Sequence, residues 1–467
     1  MYFQTWTFAV FFAVVWPVYL AVHRTRLRVP WLLAASYVFY AWLSPVFAVW
    51  LLLATTVDWL AVLGMSKSRF KTPWLLLSLA VDLGMLGTFK YFGAAAGWLS
   101  HHVAGGLNLA LGQLGAGWTV SDPGGVLPIG MSFYVFQSLT YTIGCYRGQV
   151  DREPSFLRYA AYVAMFPQLL MGPIERAGNL LPELGRSPKI TPQDVADGLS
   201  LFVVGLFKKV VLADNLALYV DPIYAAPGKF EAPALILATF AFAWQIYFDF
   251  SGYTDMARGV GRAFGLRLML NFNNPYLATG LGDFWRRWHI SLSTWFRDYV
   301  YIPLGGNRHG PLRRNLNVLL TIVISGLWHG STWNFALWGA LHGLGCVADR
   351  RLNEESPFYK NRIPRAVKTL GVFLFVSFAW IFFRAKNLSD ARTIVTRIAR
   401  FSWSDPKCPL VLLGLVLAVW LYQAAYESRL RAVLRPAAVR IAIMVLLILG
   451  VALFAPSGVR PFIYSAF

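Results

Sequence analysis

Long, unbroken apolar runs constrain this chain more than any other feature. Two of them, Leu410 to Tyr422 and Ile441 to Phe454, contain no charged residue and do not alternate with period two. Helices are therefore favoured over the strands of a β-barrel. Only 14% of the residues are charged, against about 25% in soluble domains. Lipid solvates such an apolar surface, but every backbone polar group inside the bilayer must then be hydrogen-bonded within the protein. We therefore predict an all-α polytopic membrane protein.

The apolar segments predict ten to twelve transmembrane helices, some of them broken or re-entrant, in one integral-membrane domain over residues 1–467. Trp31 to Gly64 is interpreted as two short helices, because Pro45 lies near its middle. A later helix should begin at Pro192, with Thr191 as its N-cap. The other candidate spans lie near residues 74–92, 126–145, 156–172, 198–221, 233–264, 316–346, 367–383, 409–425 and 438–455.

The basic residues indicate how the chain is oriented. The formal net charge is +20, but the charges occur in short clusters between apolar runs, as the positive-inside rule requires. Two such clusters are expected on the cytoplasmic side: Arg24, Arg26 and Arg28; Lys67, Arg69 and Lys71. This orientation places the N-terminus in the periplasm. Insertion into a membrane explains this charge better than binding to nucleic acid. Membrane lipids are therefore expected as partners, and nucleic acid is not.

The cysteines do not indicate a metal or disulfide framework. Cys145, Cys346 and Cys408 are scattered without a pair motif, so we expect free thiols and no metal site. The chain also lacks a GxGxxG, a P-loop, an HExxH and a serine-centred elbow. Nucleotide hydrolysis, zinc hydrolysis and hydride transfer are therefore not supported.

His329 is the strongest candidate for chemistry. After Asn315 an apolar helix should reach Trp328-His329-Gly330 about thirteen residues in, roughly 20 Å along its axis. An ionisable residue at membrane depth is a functional candidate by default. The alternative is a neutral histidine that bonds a neighbouring helix. Helical spacing would place Trp333 on the same face as His329.

A second polar segment, residues 282–293, interleaves charged and aromatic residues too closely for a lipid-facing span. Helical spacing would put Trp285, His289 and Ser293 on one face. Asp249, in another apolar stretch, is interpreted as part of a structural hydrogen-bond network between helices. Four other histidines are expected to be solvated: His23, His101, His102 and His309.

These residues carry a resemblance to the membrane-bound O-acyltransferase superfamily, and within it to bacterial alginate O-acetylases and peptidoglycan O-acetyltransferases. The matching blocks are PIGMSFYVFQSLTYTIGCYRG from Pro128, FPQLLMGPIER from Phe166, KKVVLADNLA from Lys208, QIYFDFSGYTDMARG from Gln245, GDFWRRWHISLSTWFRDYVYIPLGGNR from Gly282 and GLWHGSTWNFALWGALHG from Gly326. Gly144 departs from the pattern, where an acidic residue is expected.

The resemblance implies that His329 is the essential catalytic histidine and His289 the second one. It also implies a ring of helices around a central funnel, acetyl-CoA as the donor from the cytoplasm, and an extracytoplasmic acceptor or SGNH-type partner acyltransferase. Because coenzyme A is polyanionic, arginines near the motifs are candidate phosphate contacts, although they could equally mark a cytoplasmic loop. The predicted donor-binding residues are Arg286, Arg287, Arg308, Trp328 and Asn334, with Arg313 and Arg314 as further phosphate contacts.

The sequence therefore predicts an inner-membrane O-acetyltransferase that acts on an alginate-like exopolysaccharide or peptidoglycan. A transporter or flippase is the alternative from another class, but it predicts an inverted repeat that is not evident. A lipid acyltransferase of the same superfamily is the nearer alternative. A histidine base suits the attack of a hydroxyl on a thioester, and His289, Asn334 or a main-chain amide could stabilise the oxyanion.

Overall fold

A computed structural model of the chain describes residues 1–434, 436–456, 458 and 460–463, which contain helices and no strand. The chain divides into two compact units. The first comprises Met1–Phe202 and Thr254–Met269, and the second comprises Val203–Tyr253 and Leu270–Phe467. The all-helical prediction is confirmed for the described part. The three cysteines are free thiols.

The first unit begins with nine helices. They are α1 (Trp6–Val22), α2 (Arg28–Ala41), α3 (Pro45–Lys67), α4 (Thr72–Tyr91), α5 (Gly93–Gln113), α6 (Met131–Tyr146), α7 (Phe156–Ala164), α8 (Phe166–Leu169) and α9 (Ala177–Gly185). The predicted break at Pro45 is confirmed, since this proline is the first residue of α3. Helix α5 had no counterpart among the predicted spans.

Three further helices follow, of which the first and third are divided between the units: α10 (Pro192–Phe207), α11 (Asp214–Ala225) and α12 (Ala232–Ala263). Thr191 caps α10 as predicted, because its hydroxyl accepts the Asp194 N–H at 3.1 Å. Within the first unit Gly198 and Gly259 allow α10 and α12 to approach closely. A Cβ on Gly259 would collide with the Gly198 carbonyl.

The second unit continues with α13 (Leu281–Arg287), α14 (Ile290–Phe296), α15 (Gly310–His329), α16 (Trp333–Glu355), α17 (Pro357–Asn361), α18 (Arg365–Arg384), α19 (Leu388–Arg400), α20 (Leu410–Glu427) and α21 (Ala437–Phe454). Two π-helical segments, Lys208–Ala213 and Arg297–Tyr301, interrupt its helices. Short 3-10 turns cover Pro227–Lys229, Pro275–Leu277 and Arg429–Leu434.

The candidate span near residues 316–346 consists of two helices, in agreement with the expectation that some of the spans are broken. Residues 330–332 separate α15 from α16, and the two helices fold back on each other as an antiparallel hairpin. Glycines permit this close packing. A Cβ on Gly326 would strike the Phe335 carbonyl, and one on Gly339 would lie 2.7 Å from the Ile322 carbonyl oxygen.

Five helices in the described part are long and apolar enough to cross a membrane: Pro45–Lys67, Thr72–Tyr91, Ala232–Ala263, Arg365–Arg384 and Ala437–Phe454. Two shorter apolar helices are Trp6–Val22 and Leu413–Glu427. The protein is thus a polytopic membrane protein, while ten to twelve spans, the ring and the funnel stay predictions. Helix α19 is amphipathic, since it buries Ala391 and Ile394 and carries exposed arginines on its other side.

Candidate active site

His329 is the last residue of α15, and only 6% of its surface is exposed. The helix ends there because Gly330 is extended, with φ −166° and ψ 166°. Gly330 also lies against Phe335, and a Cβ at this position would collide with the phenyl ring. The glycine of the Trp-His-Gly motif therefore fixes the turn that follows the histidine.

The break after His329 corrects one prediction. His329 ends a helix of 20 residues, and Trp333 does not share its face, because Trp333 begins α16 and is 78% exposed. The prediction assumed that the helical spacing continues through Gly330, and the extended backbone of this residue interrupts it.

Aromatic rings surround His329. The ring centroids of Trp328, Trp338 and Phe383 lie 4.8, 5.2 and 5.3 Å from its own, all with edge-to-face geometry. Trp338 in turn stacks on Trp380 at 5.7 Å. These rings form an apolar enclosure around the imidazole.

His289 lies between α13 and α14, in the left-handed conformation with φ 42° and ψ 54°. The expected common face of Trp285, His289 and Ser293 is therefore wrong, because α13 ends at Arg287 and a new helix starts at Ile290. His289 is buried, and burial lowers its pKa to about 3. The imidazole is neutral at physiological pH.

The second unit contains a cavity of about 570 Å³ that is lined by Arg286, Arg297 and Arg350; we name it the arginine cavity. Its wall also includes Ser293 and Ser325. Ser325 lies one helical turn before His329 on α15, so the cavity reaches the helix that carries the histidine.

A cavity of about 600 Å³ in the same unit is lined by four cationic side chains and by the turn after His329. We name it the lysine cavity. Its cations are Lys209, Arg384, Lys386 and Arg460, and its turn residues are Gly330, Ser331 and Thr332. Residues just before and just after His329 thus line two different cavities.

The lysine cavity contains a buried ion cluster. The Lys209 ammonium donates to Asp214 at 2.8 Å and to Asp249 at 2.7 Å. The second Asp249 oxygen accepts the main-chain N–H of Ile463 at 2.8 Å. Asp249 therefore joins separate parts of the second unit, as the sequence predicted for a structural network. Its partner is a cation, which the sequence interpretation did not include.

The predicted donor-binding residues occupy different environments. Arg286 lines the arginine cavity, with 74% of its side chain exposed. Arg287 is held by Asp283 at 3.2 Å and Glu427 at 2.8 Å. Arg308 is exposed in the loop before α15, and it is not part of the described lining of either cavity.

Two other predicted residues are near His329. Trp328 packs against the His329 ring. Asn334 is buried and donates from its side-chain nitrogen to the Ala385 carbonyl at 2.8 Å. Of the two further arginines, Arg313 is exposed and Arg314 forms an ion pair with Glu354 at 3.1 Å.

Sequence reasoning did not assign Arg297, Arg350 or Lys209 to a site. Lys209 gave a usable signal, because a lysine inside the apolar stretch from Phe202 to Ala213 must be paired when it is buried. Arg350 and Arg297 gave no such signal, since charged loop residues are common in any membrane protein. His101, His102 and His309 are exposed and His23 is half-buried.

The model of the membrane-bound O-acyltransferase family matches residues 131–388, which is more than half of the chain and includes both histidine motifs. The chain belongs to this family. It is therefore an acyltransferase, and the resemblance inferred from the sequence blocks is confirmed.

Comparison with relatives indicates which branch of the family this chain resembles. The chain is 39% identical over 382 residues to the probable alginate O-acetylase AlgI of Azotobacter vinelandii, covering 80% of this chain and 72% of the relative. It is 38% identical over 384 residues to the protein of the same name from Pseudomonas aeruginosa, covering 80% and 71%. The peptidoglycan O-acetyltransferase of Helicobacter pylori is 36% identical over 296 residues, covering 58% and 56%.

Proposed function

We propose that this protein is an O-acetyltransferase of the bacterial inner membrane, which passes acetyl groups from cytoplasmic acetyl-CoA to an extracytoplasmic polysaccharide. One observation carries the proposal. Ser325, before His329, lines the arginine cavity, whereas Gly330 and Thr332, after it, line the lysine cavity. A catalytic histidine between two cavities can receive a donor from one and an acceptor from the other.

The arginine cavity is the proposed donor site. Arg286, Arg297 and Arg350 present cationic side chains to it, and planar guanidinium groups suit bidentate contacts with the phosphates of coenzyme A. The cavity volume of about 570 Å³ is in the range of small-molecule sites. With the donor in this cavity, its thioester lies on the Ser325 side of His329.

The proposed chemistry needs one base and one oxyanion donor. The acceptor hydroxyl attacks the thioester carbonyl, and His329 takes the hydroxyl proton. The C–S bond then breaks to leave the acetyl ester, and the coenzyme A thiolate takes the proton back from His329. General base catalysis contributes about 10²–10⁴ in rate. Trp338 joins Asn334 as a candidate oxyanion donor, because its buried indole N–H has no acceptor within the described residues and its ring contacts His329.

The lysine cavity is the proposed acceptor side. The relatives named as alginate O-acetylases and as a peptidoglycan O-acetyltransferase support a polysaccharide rather than a lipid. The longer match is to the alginate O-acetylases, which favours an alginate-like acceptor. The resemblance also supports a periplasmic SGNH-type partner that receives the acetyl group before the glycan does, and an N-terminus on the periplasmic side.

A pair of histidine variants tests the proposal. In a strain that lacks the gene, the full-length His329→Gln protein should lower polysaccharide O-acetylation by at least about 10²-fold, with normal membrane abundance. His309→Gln is the matched control, because His309 is exposed in the same unit, and it should restore acetylation fully. Normal acetylation by His329→Gln would contradict the catalytic assignment.

The same strain identifies the substrates. Acetyl content should fall in purified exopolysaccharide if the acceptor is alginate-like, and in peptidoglycan if it is the cell wall. Membrane vesicles supplied with radiolabelled acetyl-CoA or palmitoyl-CoA separate the two donor classes. Transfer of palmitoyl groups to lipid, with no acetyl transfer, would overturn the proposal in favour of a lipid acyltransferase.

A further inference from the structure

Asn271 is a buried residue that contacts the His289 segment through both its side chain and its main chain. Its side-chain oxygen accepts the Ser291 N–H at 3.2 Å and the Ser291 hydroxyl at 2.9 Å. The same oxygen lies 3.1 Å from Nδ1 of His289. The Asn271 main-chain carbonyl accepts the N–H of Ile290 at 2.9 Å. Asn271 therefore holds residues 289–291 in place through hydrogen bonds to its side chain and its main chain.

These bonds determine which ring nitrogen of His289 carries the proton. A main-chain N–H can only donate, so the Asn271 atom facing the Ser291 N–H must be the amide oxygen. His289 Nδ1 faces the same oxygen, and it must therefore be protonated to form a hydrogen bond. In a neutral imidazole the other nitrogen, Nε2, then carries the lone pair.

The neutral state of the ring follows from its surroundings. His289 is 1% exposed, and the ring of Phe250 meets it edge-on at 4.6 Å. The nearest described hydrogen-bonding side chain on the Nδ1 side is the uncharged amide of Asn271. The Nδ1 proton is therefore held by an amide oxygen at 3.1 Å.

We propose that Asn271 is a positioning residue of the acetyl-transfer site, which holds His289 as the Nδ1–H tautomer and makes its Nε2 a hydrogen-bond acceptor. The inference rests on the proposed function, and it changes the role given to His289. A neutral histidine with a lone pair on Nε2 does not donate from that atom to an oxyanion. His289 therefore serves the hydroxyl side of the reaction, and the oxyanion is stabilised by other donors.

The tautomer can be measured without any activity assay. The full-length protein contains 7 histidines, so ring ¹⁵N signals from histidine-labelled protein in detergent can be assigned to His289 by difference with His289→Gln. The wild-type ring should give a protonated Nδ1 and an unprotonated Nε2. A histidine in water prefers the opposite tautomer, and Asn271→Ala should move the His289 signals toward it. A wild-type ring protonated on Nε2 would overturn the inference.

Kinetics provide the second test. Asn271→Ala should lower kcat by about 10- to 100-fold, with the KM for acetyl-CoA changed little. Asn271→Asp keeps the acceptor oxygen and should recover most of kcat. Its carboxylate also raises the pKa of His289, so the neutral ring is lost at a higher pH and the acidic limb of the rate profile should shift upward. Equal loss in both variants, with intact folding, would contradict a positioning role.

Two controls make the outcome specific. Asn273→Ala removes an exposed asparagine two residues away and should leave kcat, pH profile and ring signals unchanged. Ser291→Ala removes one hydroxyl donor but keeps the main-chain N–H, so the tautomer should persist.

The proposed function and this inference fail separately. An active His329→Gln protein contradicts the former, whereas an Nε2–H ring on His289 contradicts only the latter.

Discussion

The arginine cavity and the lysine cavity are both lined by cations, yet one cation of each, Arg286 and Lys209, is held in opposite ways. In the arginine cavity Arg286 is 74% exposed, and its nearest carboxylate, on Asp283, is 3.6 Å away. In the lysine cavity Lys209 is 1% exposed and contacts two carboxylates within 2.8 Å. The two cavities have similar volumes, so the difference lies in how the charge is neutralised.

The comparison separates a cation that can bind a ligand from a cation that stabilises the fold. An exposed guanidinium that is weakly paired can exchange its partner for a phosphate at little cost. A buried ammonium between two carboxylates cannot, because removing either sign leaves an uncompensated charge at low dielectric. We therefore interpret the arginine cavity as a ligand site. We interpret the Lys209 cluster as a structural ion cluster that stabilises the wall of the lysine cavity.

The largest effect is expected from Lys209→Met. This change leaves the buried carboxylates of Asp214 and Asp249 without their cation, and it should destabilise the protein by about 3–5 kcal/mol. Thermal unfolding of the purified protein in detergent measures the loss. Lys386→Met is the matched control, since Lys386 is exposed in the same cavity, and it should change stability by less than about 0.5 kcal/mol. Equal stability of the two variants would break the comparison.

An intermediate effect is expected from Arg350→Gln. Losing one charge-assisted contact with a phosphate should raise the KM for acetyl-CoA by about 10- to 100-fold, with the unfolding midpoint unchanged. Initial rates over a range of acetyl-CoA concentrations provide the measurement. Arg308→Gln should behave as wild type, because Arg308 is exposed and outside the described cavity linings. A KM effect at Arg308 instead would move the donor site to the loop before α15.

The smallest effect is the response to salt. The Debye length falls from about 10 Å at 0.1 M to about 3 Å at 1 M, so salt should weaken donor binding to exposed arginines. The buried Lys209 cluster is screened much less. Raising ionic strength should therefore increase the KM for acetyl-CoA several-fold while leaving the Lys209→Met stability difference intact. A stability difference that disappears in salt would show that the cluster is solvated.

Much of the fold followed from local sequence. The helix start at Pro192, the cap at Thr191 and the break at Pro45 depend on residues within one turn of each other, and all three are confirmed. The expected common face of His329 and Trp333 failed because Gly330 was treated as an ordinary helical residue. Its extended backbone depends on Phe335 packing against it, which no local pattern reveals.

The candidate site likewise contains residues that the sequence identified and features that it could not predict. His329 and His289 were named from their motifs, because ionisable residues in apolar sequence are conspicuous. The ring state of His289 was not predictable, since it depends on Asn271, a residue 18 positions earlier in the chain. The arginines of the arginine cavity were only partly identified from the sequence: Arg286 was named, while Arg297 and Arg350 required the cavity itself.

The sequence by itself determined that this chain is a helical membrane protein of the O-acyltransferase family with a histidine in a Trp-His-Gly motif. Composition and motif identity are properties of neighbouring residues, and they persist however the chain packs. Only the tertiary structure decided that His329 ends a helix whose neighbouring residues line two cavities, that Lys209 pairs with an aspartate 40 positions away, and that Asn271 anchors His289. Each of these depends on burial and on contacts between distant segments, which exist only after the helices have packed.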